Sequence, residues 1–296
     1  MLLKSGCSSL KFNNLNLSEV QNRKMLLFGC PSIKQLNESL TEYLSLLSKA
    51  DSQARQDINN KITYIESVIS NHFVIEEKIP RGVLNIITQA LSAYVFSQSV
   101  HAAGDVDFYL NKESYASRLF EVSLVFMISS ELAKLFNSKP DDFSLANIWL
   151  SLREEIKDKE IASKDEIDFI SVQFENDNSV DSPREQFIKE VLLFRNKQVA
   201  HNSTSNDAMW ESYNKTIKFV LRVYSLLEKL VEPQIMPRPI IVKAYMFDGI
   251  KQYYDFNSFN RVKRHCTEMC SEFIESCSTN LITLEKDSMK PFLKRI

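Results

Sequence analysis

The sequence predicts a mainly α-helical protein, and three observations support that fold class. Apolar residues recur at three- and four-residue spacing along most of the chain, which is the period of an amphipathic helix. The chain has only 5 glycines in 296 residues, whereas β-sandwiches and nucleotide-cradling α/β folds need glycine at tight turns and phosphate loops. Neither the G-x-G-x-x-G nor the P-loop pattern occurs. We therefore expect a helical bundle with an N-terminal helical pair and a small C-terminal extension.

The N-terminal part, residues 1–80, is predicted to hold the helical pair. A Ser/Asn-rich lead-in of about thirty residues is followed by two apolar repeats, joined by a polar stretch around Asp51. The break at Pro80-Arg-Gly82 predicts the boundary to the main domain. The repeats are Leu36, Leu40, Leu44, Leu47 and Ile58, Ile62, Ile65, Ile69.

The main domain, residues 81–232, is predicted to be a run of helices. Pro140 followed by Ser144 predicts a stop and then an N-cap. The last helix has strict alternating spacing, which predicts a narrow seam where two helices pack closely. The apolar positions are Leu84, Ile87, Leu91, Tyr94; Tyr115, Leu119, Val122, Phe126; Leu145, Ile148, Leu152, Ile156; Phe187, Val191, Phe194; and Tyr213, Ile217, Val220, Tyr224, Leu227, Val231.

The C-terminal part, residues 233–296, begins with three prolines that end the helical core, at positions 233, 237 and 239. Asp248-Gly249 between apolar runs predicts a short hairpin. A final helix is predicted from one apolar face: Phe259, Val262, Cys266, Met269, Phe273 and Cys277.

Charge and cysteine usage narrow the functional classes. The net charge is −2, so the chain as a whole does not have the positive charge typical of a protein that binds nucleic acid over its entire surface. Residues 141–190 hold 14 acidic against 6 basic residues, whereas residues 233–296 hold 7 acidic against 10 basic ones. No apolar run reaches the ~18–20 residues of a membrane span. Five cysteines without framework spacing fit reduced thiols. We expect a cytoplasmic protein.

The segment Phe194-Arg-Asn-Lys-Gln-Val-Ala-His-Asn202 contains an arginine and a histidine separated by five residues. It resembles the Arg-x(4–6)-His signature of the HEPN superfamily, with the polar Asn196 that often follows the arginine. The segments Leu132–Phe136 and Ser144-Leu145 are similar to those preceding the motif in the abortive-infection (AbiU-like) branch. The resemblance covers residues 84–232. It implies a helical bundle, a homodimer through this core, and RNA cleavage without metal or cofactor.

The residue types of the motif suit that chemistry. Histidine transfers protons near neutral pH because its unperturbed pKa is ~6.5, so His201 is the expected acid–base group. Arginine forms bidentate hydrogen bonds with phosphate oxygens and keeps its positive charge at all relevant pH values. Arg195 is therefore expected to bind phosphate and stabilise the phosphorane. Asn196 can orient the histidine or a phosphate oxygen by hydrogen bonding, and Lys197 can add electrostatic attraction for RNA.

The spacing of the motif raises a geometric question. On a straight helix six residues span ~600° and ~9 Å, so Arg195 and His201 face different ways. Two arrangements bring them to one phosphate. Either the helix ends or bends before His201, or two chains meet about a twofold axis, which is what the resemblance implies.

Simpler roles for the same residues stay open. His201 can be a C-cap partner for free carbonyls, and Arg195 can pair with Glu185 or Glu190. The protein can also be a non-catalytic interaction scaffold, a nucleotide or RNA clamp, or a toxin held by an antitoxin or other partner protein. Some superfamily toxins carry an adenylylated tyrosine two residues after the histidine. Ser203 occupies that position here.

Two further clusters in the last helix bear on function. Arg261, Lys263 and Arg264 form the densest basic cluster and are candidates for RNA binding. Three cysteines with a neighbouring histidine suggest a metal site, but they share the apolar face of the helix. A zinc site usually gathers ligands from two segments, so core packing is favoured and no metal is expected. Those four residues are His265, Cys266, Cys270 and Cys277. Trp149 and Trp210 are expected to pack, although each could also stack on a base.

Overall fold

A computed structural model describes residues 27–29, 31–70, 82–102, 115–137, 144–175, 183–201, 208–231 and 256–282. Within these ranges the regular structure is entirely helical, which confirms the mainly α fold class. The helices are α1 (Ile33–Leu47), α2 (Ser52–Ser70), α3 (Val83–Ala102), α4 (Tyr115–Leu135), α5 (Leu145–Asp158), α6 (Lys164–Phe174), α7 (Gln186–His201), α8 (Ala208–Val231) and α9 (Phe256–Ser278).

The chain divides into two compact units, residues 1–85 and residues 86–296. In the first unit α1 packs against α2, so the predicted helical pair is present. A capping box starts α1: the Ser32 hydroxyl accepts from the Gln35 amide, and the Gln35 side chain accepts from the Ser32 amide. The Lys61 ammonium lies 5.2 Å from the centre of the Tyr43 ring.

Helix α8 is the centre of the second unit, with α4, α5, α7 and α9 packed around it. All six residues of the predicted seam, from Tyr213 to Val231, are buried. Positions between them, such as Phe219, Leu221 and Val223, are buried as well. The expectation of a narrow seam was therefore wrong, because neighbours cover most of the circumference of the helix and not only one stripe.

A buried hydrogen bond joins α5 to α6, and a cluster of three aromatic rings joins α4 and α6 to this centre. Trp149 is fully buried, and its indole nitrogen donates to the Ser171 hydroxyl at 3.1 Å. The rings of Phe136, Phe174 and Phe219 lie with their centres 5.4–5.9 Å apart. Trp149 thus packs as expected, and these aromatic contacts fix the ends of α4 and α6 against α8.

The predicted N-cap at Ser144 is confirmed. Its backbone is extended, and its hydroxyl accepts from the Asn147 amide at 3.2 Å.

Helix α9 packs along α8 in the same compact unit. Its predicted apolar face is buried, apart from the partly exposed Cys277. The predicted division into residues 1–80, 81–232 and 233–296 stays a prediction about domain identity. The predicted hairpin at Asp248-Gly249 lies outside the described residues.

In the part of the chain that the structure describes, we find no helix with both the length and the apolar character of a membrane span.

Candidate functional site on helix α7

Helix α7 carries the Arg–His motif, and contacts at its start hold it in place. The buried Arg184 donates to the carbonyl of Gln173 at 2.9 Å and to that of Glu175 at 3.2 Å. The Glu185 amide donates to the Gln173 side chain at 2.7 Å. These hydrogen bonds fix the start of α7, the helix that carries the motif, to the end of α6.

The middle of α7 is anchored to α8. Ile188 and Val191 are fully buried, and Glu190 accepts a short hydrogen bond from the Ser212 hydroxyl of α8. The same carboxylate accepts from the Gln186 side chain at 3.1 Å. This carboxylate therefore serves as a structural anchor one and a half helical turns before Arg195.

Arg195 and Asn196 are exposed, and they contact each other. One terminal guanidinium nitrogen of Arg195 donates to the Asn196 side-chain oxygen at 3.0 Å. Neither Glu185 nor Glu190 pairs with Arg195 among the side chains that the structure describes. The guanidinium keeps its other N–H groups available, since an arginine has five donors.

His201 is the last residue of α7. The helix therefore includes His201, and an arrangement in which it ends before that residue is not the one found. The backbone register separates Arg195 from His201 by ~600° of rotation and ~9 Å of rise. The side chains of Lys197 and His201 lie outside the described residues, so their predicted roles stay predictions.

The basic residues of α9 do not form one patch. Arg261 donates to the Ser258 hydroxyl at 3.1 Å, and Arg264 lies 4.0 Å from Glu268. The Lys263 ammonium lies 4.8 Å from the centre of the Phe259 ring. At ~100° per residue, Lys263 projects from a different side of the helix than the two arginines. Their predicted RNA binding stays a prediction.

The cysteines of α9 belong to the packed face of the helix. Cys266 and Cys270 are buried, and the hydrogen bond between the two thiols, together with burial, raises the pKa of the Cys266 thiol. Burial, and then the nearby Glu228 carboxylate, raise the pKa of the Cys277 thiol to about 11. Among the described residues, no three His, Cys, Asp or Glu side chains are grouped to hold a metal ion.

Trp210 packs at the start of α8, where its ring centre lies 6.0 Å from that of Tyr94 and 5.8 Å from that of Tyr213. The Tyr94 hydroxyl donates to the Trp210 carbonyl and accepts from Asn214, both at 3.3 Å. Burial raises the pKa of Tyr94 to about 12, so this tyrosine stays protonated at neutral pH.

Sequence reasoning missed a buried ion pair. The Arg222 guanidinium donates hydrogen bonds to both carboxylate oxygens of Glu166, at 2.9 and 3.0 Å. It also donates to the Cys277 carbonyl at 3.0 Å. The Leu281 amide donates to the same carboxylate at 3.1 Å. A charged residue inside the apolar α8 pattern was the available signal. Its partner lies 56 positions away, which a helical periodicity cannot reveal.

An open cavity of about 510 Å³ adjoins this ion pair. Its lining mixes charges: the basic Lys157, Lys164 and Arg222, and the acidic Glu160 and Glu166. This mixed lining points to no single ligand class.

No protein-family model, curated protein or solved structure matches this chain. The resemblance to the HEPN superfamily therefore rests on the motif of α7 and its sequence context.

Proposed function

We propose that this protein is a metal-independent endoribonuclease acting as a homodimer, in abortive infection and antiphage defence or as a toxin. The observation that carries the proposal is the exposed Arg195–Asn196 pair on a firmly anchored helix that ends at His201. The exposed guanidinium pairs with no carboxylate among the described side chains. Such a guanidinium is suited to a phosphate, because it can form a bidentate, charge-assisted contact.

In the proposed reaction the ribose 2′-oxygen attacks its own phosphorus and the bond from phosphorus to the 5′-oxygen breaks. His201 takes the proton from the 2′-hydroxyl or supplies one to the leaving 5′-oxygen, and water exchanges the other proton. Arg195 stabilises the extra negative charge of the phosphorane, and Asn196 orients the guanidinium. The products carry a 2′,3′-cyclic phosphate and a 5′-hydroxyl end. Neither a metal nor an organic cofactor is required for these steps.

The test is cleavage of purified total RNA in the presence of EDTA. We compare the wild type with Arg195→Ala and His201→Ala, and with Arg55→Ala as a control at an exposed arginine outside the motif. We expect cyclic phosphate ends from the wild type and the control, and a loss of at least about 100-fold in both motif variants. Equal cleavage by all four proteins would refute the assignment.

A non-catalytic interaction protein is the second candidate, and one specific observation favours it. Helix α4 exposes several large apolar side chains, which is typical of a protein–protein contact surface. A well-folded dimer that binds RNA or a partner protein but leaves RNA intact would support this candidate over the nuclease. Affinity capture with the wild type and with a variant of that surface would then identify an antitoxin or other partner. Cytoplasmic localisation stays a prediction in both cases.

A further inference from the structure

Helix α4 is apolar on all sides, yet only one of its sides is covered. Between Glu121 and Glu131 it has no charged residue. Its inner side, which includes Val125, Ile128 and Leu132, is buried. A helix that is apolar all round is normally buried all round, so its other side is expected to meet a partner.

The uncovered side forms one continuous surface, which we call the outer α4 face. It consists of Leu119, Val122, Phe126 and Met127, whose side chains are 38–62% exposed. At ~100° per residue these positions lie within a sector of ~140°. Four large apolar side chains on one sector make a patch and not scattered surface residues.

Hydrogen bonds show where this face lies along the bundle. The hydroxyl oxygens of Tyr213 in α8 and Ser129 in α4 are 2.5 Å apart. The hydroxyl of Ser212, the preceding residue of α8, donates a hydrogen bond to Glu190 of α7. Glu190 of α7 and Ser129 of α4 therefore lie at about the same level of α8. Phe136 stacks on Phe219, and both residues lie further along the chain than the Ser129–Tyr213 pair. Helices α4 and α8 therefore run in the same direction.

Helix α7 runs in the opposite direction. Its start is near Phe219, because Arg184 forms hydrogen bonds with the end of α6, where Phe174 contacts Phe219. Further along α7, Glu190 contacts Ser212, which lies earlier in α8. Moving five residues along α7, from Glu190 to Arg195, thus corresponds to moving about five residues back along α4 from Ser129. Arg195 is then level with the middle of the outer α4 face. Since α4 and α7 are packed neighbours, Arg195 lies on the adjacent helix at the level of this face.

The area of the face indicates how far an interface must extend. A helix of 21 residues is ~31 Å long and ~10 Å wide, so α4 alone offers about 300 Å². A stable protein interface covers about 800 Å² on each partner. The remainder must come from neighbouring exposed elements, and α7 supplies Arg195 and Asn196, which are both exposed.

We propose that the outer α4 face, with Arg195 of α7, is the surface through which two copies of this chain form a twofold-symmetric dimer. The choice of a second copy rests on the proposed function, which needs residues from two chains at one phosphate. Charge supports the same choice. An uncharged apolar face is complementary to itself, whereas a face that binds RNA requires cations.

The test is sedimentation velocity of the full-length protein over a range of concentrations, without RNA. We compare the wild type with Val122→Asp and Phe126→Asp, and with Ile274→Asp as the matched control on an exposed apolar residue of α9. We expect the wild type and the control to dimerise. Each variant of the outer α4 face should raise the dissociation constant about 30-fold or more. A monomeric wild type, or face variants that dimerise like the control, would overturn the proposal.

Chemical crosslinking gives a second test, in which the proposed interface predicts a new product, so that a misfolded variant cannot be mistaken for support. Ser123→Cys places a thiol on the exposed side of α4, and Ser271→Cys places one on the exposed side of α9. With a short bismaleimide, we expect a covalent dimer from Ser123→Cys at a level well above Ser271→Cys and the wild type. Equal yields from the three proteins would count against the interface.

Failure of this inference and failure of the nuclease proposal give different results. A dimer that depends on the outer α4 face but cleaves no RNA would uphold the interface and refute the nuclease. RNA cleavage by a dimer that forms equally well in the variants of the outer α4 face would uphold the nuclease and refute the interface.

Discussion

Arg195 occupies a register that is otherwise the buried side of its helix. Ile188 and Val191 precede it at three- and four-residue spacing and are fully buried, whereas Arg195 is exposed. Burying an unpaired guanidinium is costly, so a charge in this register requires an open site or a partner carboxylate. Glu190 is engaged with Ser212, and Arg195 pairs with no carboxylate among the described side chains, so we infer an open site at Arg195.

The geometry of the guanidinium gives a test at this position. We expect Arg195→Lys to keep the charge but lose the two-pronged grip, so that cleavage falls about 10- to 100-fold. Arg195→Ala should lose more, and the helical circular dichroism of both variants should match the wild type. If lysine supports full activity, the residue acts only as a point charge.

Thiol reactivity tests the environment of Cys277. Its pKa is raised to about 11, first by burial and second by Glu228, so the native thiol is protonated at pH 8 and should react slowly with iodoacetamide. Ser271→Cys adds an exposed thiol that should react much faster. Since the folded pKa lies above the unfolded one, the native state retains this proton longer. Its stabilising contribution is present below about pH 9 and is lost as the pH rises through about 11. Rapid labelling of Cys277 at pH 8 would contradict this environment.

At the scale of elements, the Glu166–Arg222 pair joins α6, α8 and the chain just after α9. Both side chains are almost fully buried, and Cys277 and Leu281 supply further hydrogen bonds. This pair ties the last described part of the chain to the core. Removing one member leaves a buried charge without its partner, which is more harmful than losing the pair.

Denaturant unfolding measures that effect. We expect Arg222→Met to lower the free energy of unfolding by about 3–5 kcal/mol. The matched control is Arg153→Met, which removes an exposed pair with Glu175 at 3.2 Å and should cost at most about 1 kcal/mol. Equal losses in the two variants would show that burial does not set the strength of the Arg222 pair.

At the scale of the whole molecule, the proposed site is shared between copies, and mixing inactive variants tests this sharing. When Arg195→Ala and His201→Ala are unfolded and refolded together, half of the dimers carry one copy of each. If each site takes its arginine from one copy and its histidine from the other, each mixed dimer has one intact site. About a quarter of wild-type cleavage should then return. No recovery, in a mixture shown to contain mixed dimers, would place both residues of a site in one chain.

The sequence by itself determined the helices and several of their ends. Low glycine content and helical periodicity were enough for the fold class, because both depend on local geometry. Ser144 could be identified as an N-cap for the same reason, since its hydroxyl bonds an amide three residues away. The candidate motif was also visible, because its residue types and spacing are local features.

The tertiary structure decided which sides of those helices are covered. Leu119, Val122 and Phe126 marked α4 correctly as a helix, yet in the folded chain they form its exposed side. A helix that is apolar all round has no periodic signal to indicate its inner side, and only its neighbours α7 and α8 decide this. The same holds for Arg222, whose partner is fixed by packing across 56 residues of chain. Contacts between residues distant in sequence depend on how the helices assemble, and local periodicity does not encode that assembly.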